Sequence, residues 1–94
     1  MESRVRDLET VRALRSARVD AVAASAAGEL ASLLASTDGF TRAVYVVKIL
    51  DVHPGLGKVA GRRLLAEVGV EPLARISDLT PGQTSRILEA VGRA

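Results

Sequence analysis

His53-Pro54-Gly55-Leu56-Gly57-Lys58-Val59-Ala60-Gly61-Arg62-Arg63-Leu64-Leu65 is the stretch from which the rest of the chain can be read. Its spacing predicts a helix ending near Val52, a tight turn through Pro54 and two glycines, and a second helix beginning at about Lys58. Gly55 and Gly57 bracket Leu56, so the turn can adopt positive φ or let a partner approach the backbone, while Leu56 anchors the loop in the core. Such a hairpin carries bare amides at its tip. The first N–H groups of the new helix lack intrahelical acceptors, and the helix dipole places partial positive charge at the same spot. An anion belongs there, and phosphate is the one expected. Lys58, Arg62 and Arg63 add charge on or beside that turn without geometry for reading bases.

Downstream, Lys58 to Val68 reads as a helix with Leu64, Leu65 and Val68 inward and Gly69 as its stop. Residues 70–79 form a compact connector with two apolar plugs, Ile76 and Leu79. Thr80-Pro81-Gly82-Gln83 then sets a hydroxyl at the N-cap, proline at the first helical position and glutamine at the third, a strong helix start. That last helix is expected to run to about Val91, with Ile87, Leu88 and Val91 inward and Gly92 ending it. Upstream, Val44-Tyr45-Val46-Val47 has strand propensity. No second strand is evident to pair with it, and an isolated strand is unstable. The expectation is a buried helix from about Arg42 to Asp51, with Val46, Val47, Ile49 and Leu50 inward and Arg42 and Lys48 outside. Ser36-Thr37-Asp38-Gly39 is a break rich in capping residues.

Residues 3 to about 35 contain no proline and one glycine, with apolar residues at intervals of three and four. They read as one long helix, broken or bent near Gly28. From Val19 onward the stripe is apolar and alanine-rich. Before it, Arg12 and Arg15 fall on that same stripe with Arg4 and Arg18 beside it, while Glu2, Glu9 and Asp20 gather elsewhere. The first half therefore runs off the core, either as an arm along a polyanion or as a solvated end. The fold class expected is all-α: a long, partly projecting N-terminal helix (1–36) packed on a small helical domain (37–94).

Ninety-four residues suffice for one modest core. One Phe, one Tyr and no Trp leave that core to Leu, Val, Ile and Ala, and deprive the chain of the stacking platform of single-strand binders. Without cysteine and with one histidine there is no disulfide framework and no thiolate metal site, and no cofactor is expected. The opening residues lack the apolar core of a signal peptide, and no apolar run reaches membrane-spanning length, so a soluble cytoplasmic protein is expected. Thirteen Lys and Arg against eleven Asp and Glu give a net charge of only +2, so any basic surface must come from segregation. Eleven of the thirteen are arginine, whose planar fork suits phosphate.

Pro54-Gly55-Leu56-Gly57-Lys58, Leu64-Leu65-Ala66-Glu67-Val68-Gly69-Val70 and Arg75-Ile76-Ser77-Asp78-Leu79-Thr80-Pro81-Gly82-Gln83 together resemble the helix-two-turns-helix domain. Two families share that text: a ribosomal protein of the small-subunit head, and the actinobacterial integration host factor, a small nucleoid-associated DNA binder. The run from Arg75 to Gln83 is nearer the ribosomal version. The layout, a long charged helix first and no basic Gly-rich tail after the last helix, resembles the integration host factor over about two thirds of the chain. That resemblance implies double-stranded DNA bound through its backbone with little sequence preference and with bending. It also implies a nucleoid location, and a role in chromosome compaction or in a complex with a recombinase. Residue by residue, Gly55, Leu56, Gly57 and Lys58 would hold phosphates, with Arg62 and Arg63 beside them and Arg75 in the connector. Arg42, Arg12 and Arg15 would supply further charge. Ala74 and Ser77 stand where relatives carry arginine, which predicts weaker or more salt-sensitive binding.

Two other readings differ in class. One is a structured-RNA binder like the ribosomal family, and the other is a paralogue that docks protein through its first helix, although the stripe forms no sustained heptads. Catalysis is not expected. His53 reads as a residue that caps or packs beneath the turn, and Asp51, Glu67, Asp78 and Glu89 read as surface or capping charges with no metal-ligand spacing.

Overall fold

The computed structural model describes residues 2–93, with side chains described from Arg6 to Gly92. Its helices are α1 (Glu2–Ala26), α2 (Leu30–Leu34), α3 (Gly39–Arg42), α4 (Val46–Asp51), α5 (Lys58–Val68) and α6 (Pro81–Arg93), with a 3₁₀ turn at Ile76–Asp78. The fold is all-α: a long first helix and a group of short ones. Among the described residues the extended pairing is a single isolated bridge between Tyr45 and Arg75.

At about 1.5 Å per residue the 25 residues of α1 span roughly 37 Å, a large part of a body measuring 50 × 24 × 22 Å. Arg6 through Arg12 are exposed, Ala13 and Ala17 half-buried, and Ala21 and Ser25 buried, so the first half does run off the core. Arg4, expected beside the basic stripe, lies outside the described side chains. Gly28, at φ +85°, ends the helix in a conformation open to glycine, and α2 follows as a separate segment.

Val19 does not face the core as expected; it is 60% exposed. Val19, ~200° around the helix from Ala21, is left at the rim of an open groove shared with Lys48, Asp51 and Val52, and the buried face runs instead through Ala21 and Ser25. Small residues are needed there because α1 crosses close to α4. The Ser25 hydroxyl, fully buried, donates to the Ile49 carbonyl in the last turn of α4, where carbonyls run out of intrahelical donors. Ser25→Ala should leave that carbonyl unsatisfied and lower unfolding free energy by about 1–3 kcal/mol in urea titration.

The helix expected from about Arg42 begins only at Val46, as α4, with Val46, Val47, Ile49 and Leu50 inward as expected; Arg42 instead ends the separate α3. Asp38 caps α3, accepting from the Thr41 N–H at 2.9 Å and from the Thr41 hydroxyl at 2.9 Å. The Thr41 amide first, then its hydroxyl, hold the Asp38 carboxyl below its ordinary pKa. The cap's stabilisation is therefore complete above the ordinary carboxylate range and fades as pH falls through it. Between α3 and α4 the chain is extended because the connector supplies the partner that was not evident in sequence. The Val46 amide donates to the Ala74 carbonyl at 3.0 Å and the Ile76 amide to the Val44 carbonyl at 3.0 Å. The strand propensity of Val44-Tyr45 is thus used, over two residues only.

Val46, Ile49 and Leu50 are fully buried and join Leu30 of α2, Ile76 and Ile87 in one core, with Leu64 and Leu65 of α5 buried beside them. Leu56 packs against this cluster from the hairpin, as do Leu79, Leu88 and Val91. Where α4 and α5 cross, a Cβ at Gly61 would come within 3.1 Å of the Leu50 Cβ. The glycine is thus a contact position that sets helix separation. Gly69, at φ +80°, ends α5. α6 starts as expected: Thr80 Oγ1 accepts from the Gln83 amide at 3.1 Å and Gln83 Oε1 from the Thr80 amide at 3.0 Å. It continues through Gly92 to Arg93 rather than stopping near Val91.

Candidate nucleic-acid interface

The hairpin between α4 and α5 is a β-turn, closed by the Leu56 amide donating to the His53 carbonyl at 3.1 Å. His53 itself is buried beneath the turn, and its Nδ1 accepts from the Gly55 amide at 3.0 Å. Both amides expected to be bare, those of Gly55 and Leu56, are therefore spoken for. Proline supplies the φ of the turn, and Gly55 keeps a negative φ. Only Gly57 takes the left-handed side, at φ 93° and ψ 177°, a region essentially confined to glycine.

Gly57 is the N-cap of the 11-residue α5, and no side chain caps that end. The amides of Gly57, Lys58, Val59 and Ala60 find no acceptor among the described residues; the first backbone bond of the helix runs from the Gly61 amide to the Gly57 carbonyl at 2.9 Å. α6 contrasts with this, since its N-terminus is closed by the Thr80–Gln83 box. The open donors are therefore those of Gly57 and the first turn of α5, without the Gly55 and Leu56 amides of the tip. No acidic residue lies in that turn.

Lys58 and Arg63 are exposed there, with no carboxylate within reach among the described residues. Arg62 is differently placed. Its guanidinium is 3.9 Å from Asp51 Oδ2, and Asp51, at the C-terminal end of α4, is 12% exposed with Oδ1 buried and unpartnered. A carboxylate at a helix C-terminus opposes the dipole. Asp51 therefore holds one of the three hairpin cations and subtracts from the local positive charge.

The remaining predicted site residues separate into two places and a singleton. Arg15 and Arg75 line one cleft, with Arg18 of α1. The Arg75 guanidinium lies over the Tyr45 ring, 5.5 Å from its centre. Arg42 is half-buried and donates to the Ser36 carbonyl at 3.3 Å, so it closes the α2–α3 connection. Arg12 is exposed on α1 one turn before Arg15 and does not line the cleft. Among the described residues no cluster of His, Asp or Glu could hold a metal, and no helix is long and apolar enough to cross a membrane.

No family model, curated protein or solved structure matches this chain.

Four further positions were not among the site residues expected from sequence. Gly61 carried a signal, a glycine inside a helical pattern, and Ser25 another, a hydroxyl within an alanine run. Lys48 lies beside Arg62 along the wall between α4 and α5, and Arg86 is exposed on α6. For these two the sequence shows only surface charge.

Proposed function

We propose that this chain is a non-enzymatic binder of double-stranded DNA of the helix-two-turns-helix kind, similar in role to the actinobacterial integration host factor and acting at the nucleoid. The observation that carries the reading is the uncapped first turn of α5. Four unpartnered amides, glycine-only geometry at Gly57, and the free cations Lys58 and Arg63 coincide there. Backbone donors at a helix N-terminus match a phosphate and carry no base preference. The grip is expected to be sequence-tolerant.

Affinity in such a complex follows counterion release, with a log–log salt slope of about −0.9 per neutralised phosphate. Titration of the full chain into random-sequence duplex at several salt concentrations should give a slope of about −1.8 or steeper, with Lys58 and Arg63 engaged and Arg62 held by Asp51. A slope near zero would rule the phosphate grip out. Competition against structured RNA of equal length reports whether duplex DNA is preferred.

Asp51 gives this reading a sharper test. Asp51→Asn keeps the side-chain shape, removes the buried negative charge and releases Arg62. DNA affinity should rise by up to about 8-fold at 0.1 M salt, with the slope steeper by about 0.9. Stability should be no lower than wild type, because the substitution also relieves an unfavourable charge at the C-terminus of α4. Lower affinity would mean that Asp51 orients Arg62 productively.

A further inference from the structure

The chain's two aromatic residues, Phe40 and Tyr45, line the same cleft, about 380 Å³, between α1 and the segment joining α3 to α4. Both are unusually open for aromatics in so small a core, at 41% and 37% exposure. The α1 wall adds Val11 and Leu14, which are likewise exposed. Arg15, Arg18 and Arg75 line the same space, and no acidic residue does. None of the three arginines has a carboxylate within 4 Å among the described residues. An apolar hollow ringed by three unneutralised guanidiniums calls for an occupant that is both apolar and anionic.

Three occupants have that character in some degree, and the walls discriminate among them. A rigid duplex cannot enter a hollow of this size. An unpaired base could, but its polar edge would meet aliphatic walls; the Tyr45 hydroxyl is the one uncharged polar side-chain group lining the cleft, and buried donors without acceptors are costly. A second copy of the chain would approach with its own α1, and on that face α1 carries Asp7 amid Arg15 and Arg18, too little negative charge for three arginines. A peptide with leucine or phenylalanine flanked by glutamate or aspartate satisfies both demands, since its carboxylates can pair bidentately with arginine while its apolar side chains cover Phe40, Val11 and Leu14.

We propose that this cleft docks an acidic, apolar peptide segment of a partner protein. The site stands apart from the uncapped turn of α5 and does not depend on DNA being held there.

The probe is a fluorescein-labelled 12-residue peptide, Glu-Glu-Leu-Phe three times over, titrated into the full chain with anisotropy and amide chemical-shift readouts. Shifts should concentrate at Val11 to Arg18, Phe40 to Tyr45 and Arg75. Replacing the glutamates by glutamine, or the leucines and phenylalanines by serine, should each weaken binding at least 10-fold. Because these changes are in the peptide, they hold whatever a protein variant does to folding. Arg15→Glu with Arg18→Glu, both at exposed positions, should also weaken binding at least 10-fold, and Arg86→Glu on α6 should not. Equal binding of the serine peptide, tighter binding of a single-stranded oligonucleotide to the same residues, or indifference to the Arg15 and Arg18 changes would each overturn the proposal.

Discussion

Lys58→Glu combined with Arg63→Glu is expected to reduce affinity for random-sequence duplex by at least about 10²-fold at 0.1 M salt. Each phosphate contact contributes close to a decade at that salt through counterion release, and reversal adds repulsion to the loss. These two side chains are the right ones to reverse because they are exposed and unpaired, so the fold loses no internal contact. Arg62→Glu would confuse the result, since it would set a second carboxylate against that of Asp51. The double variant should keep wild-type helicity and unfolding midpoint, and its salt slope should fall by about 1.8. Undiminished binding by a folded double variant would remove the hairpin from the interface altogether.

Gly57→Val should be the most disruptive single change in the hairpin. At φ 93° and ψ 177° a β-branched residue is strained by roughly 1–3 kcal/mol, although the space around the position is open. For a chain of this size that corresponds to a fall in melting temperature of roughly 4–20 °C. The turn can relieve the strain only by rotating the chain entering α5, which redirects the four open amides. DNA affinity of the still-folded fraction should therefore drop together with stability, a pairing that Ser25→Ala, which leaves the backbone of the turn unaltered, should not show. Wild-type affinity in folded Gly57→Val would mean that phosphate is held by side chains and not by main-chain donors.

The all-α architecture, the bounds of α5 and the Thr80–Gln83 start of α6 were legible because local signals there agree with tertiary demand. The misjudged segments are those where a distant partner decided. Val44-Tyr45 became extended because Ala74 and Ile76, some thirty residues away, offered main-chain partners that no local pattern announces. Val19 lost the core to Ala21 and Ser25 because the closeness of α4, not hydrophobicity, set which face could approach. At the candidate site, the turn and its cations could be read directly. So could the role of His53 as a cap beneath the turn, which its bond from the Gly55 amide fulfils; the capture of Arg62 by Asp51 could not, since it depends on how a buried side chain is aimed. The meeting of Phe40, Tyr45 and three arginines was equally hidden, because it joins three separated segments.

α4 is six residues long, too short to persist as a helix by itself. It is fastened at its N-terminal end through Val46 to Ala74 and near its C-terminal end by the Ser25 hydroxyl on Ile49. A segment pinned from both sides by remote parts of the chain has no private route to opening. Its amides should exchange with solvent only when the whole molecule comes apart, as slowly as any in the protein. Since His53 and its turn hang directly from this segment, the geometry presented to a ligand should stay constant until global unfolding, and a tug on the projecting arm would be transmitted to the turn through the packed crossing of α1 and α4, where the buried Ser25 hydroxyl holds Ile49.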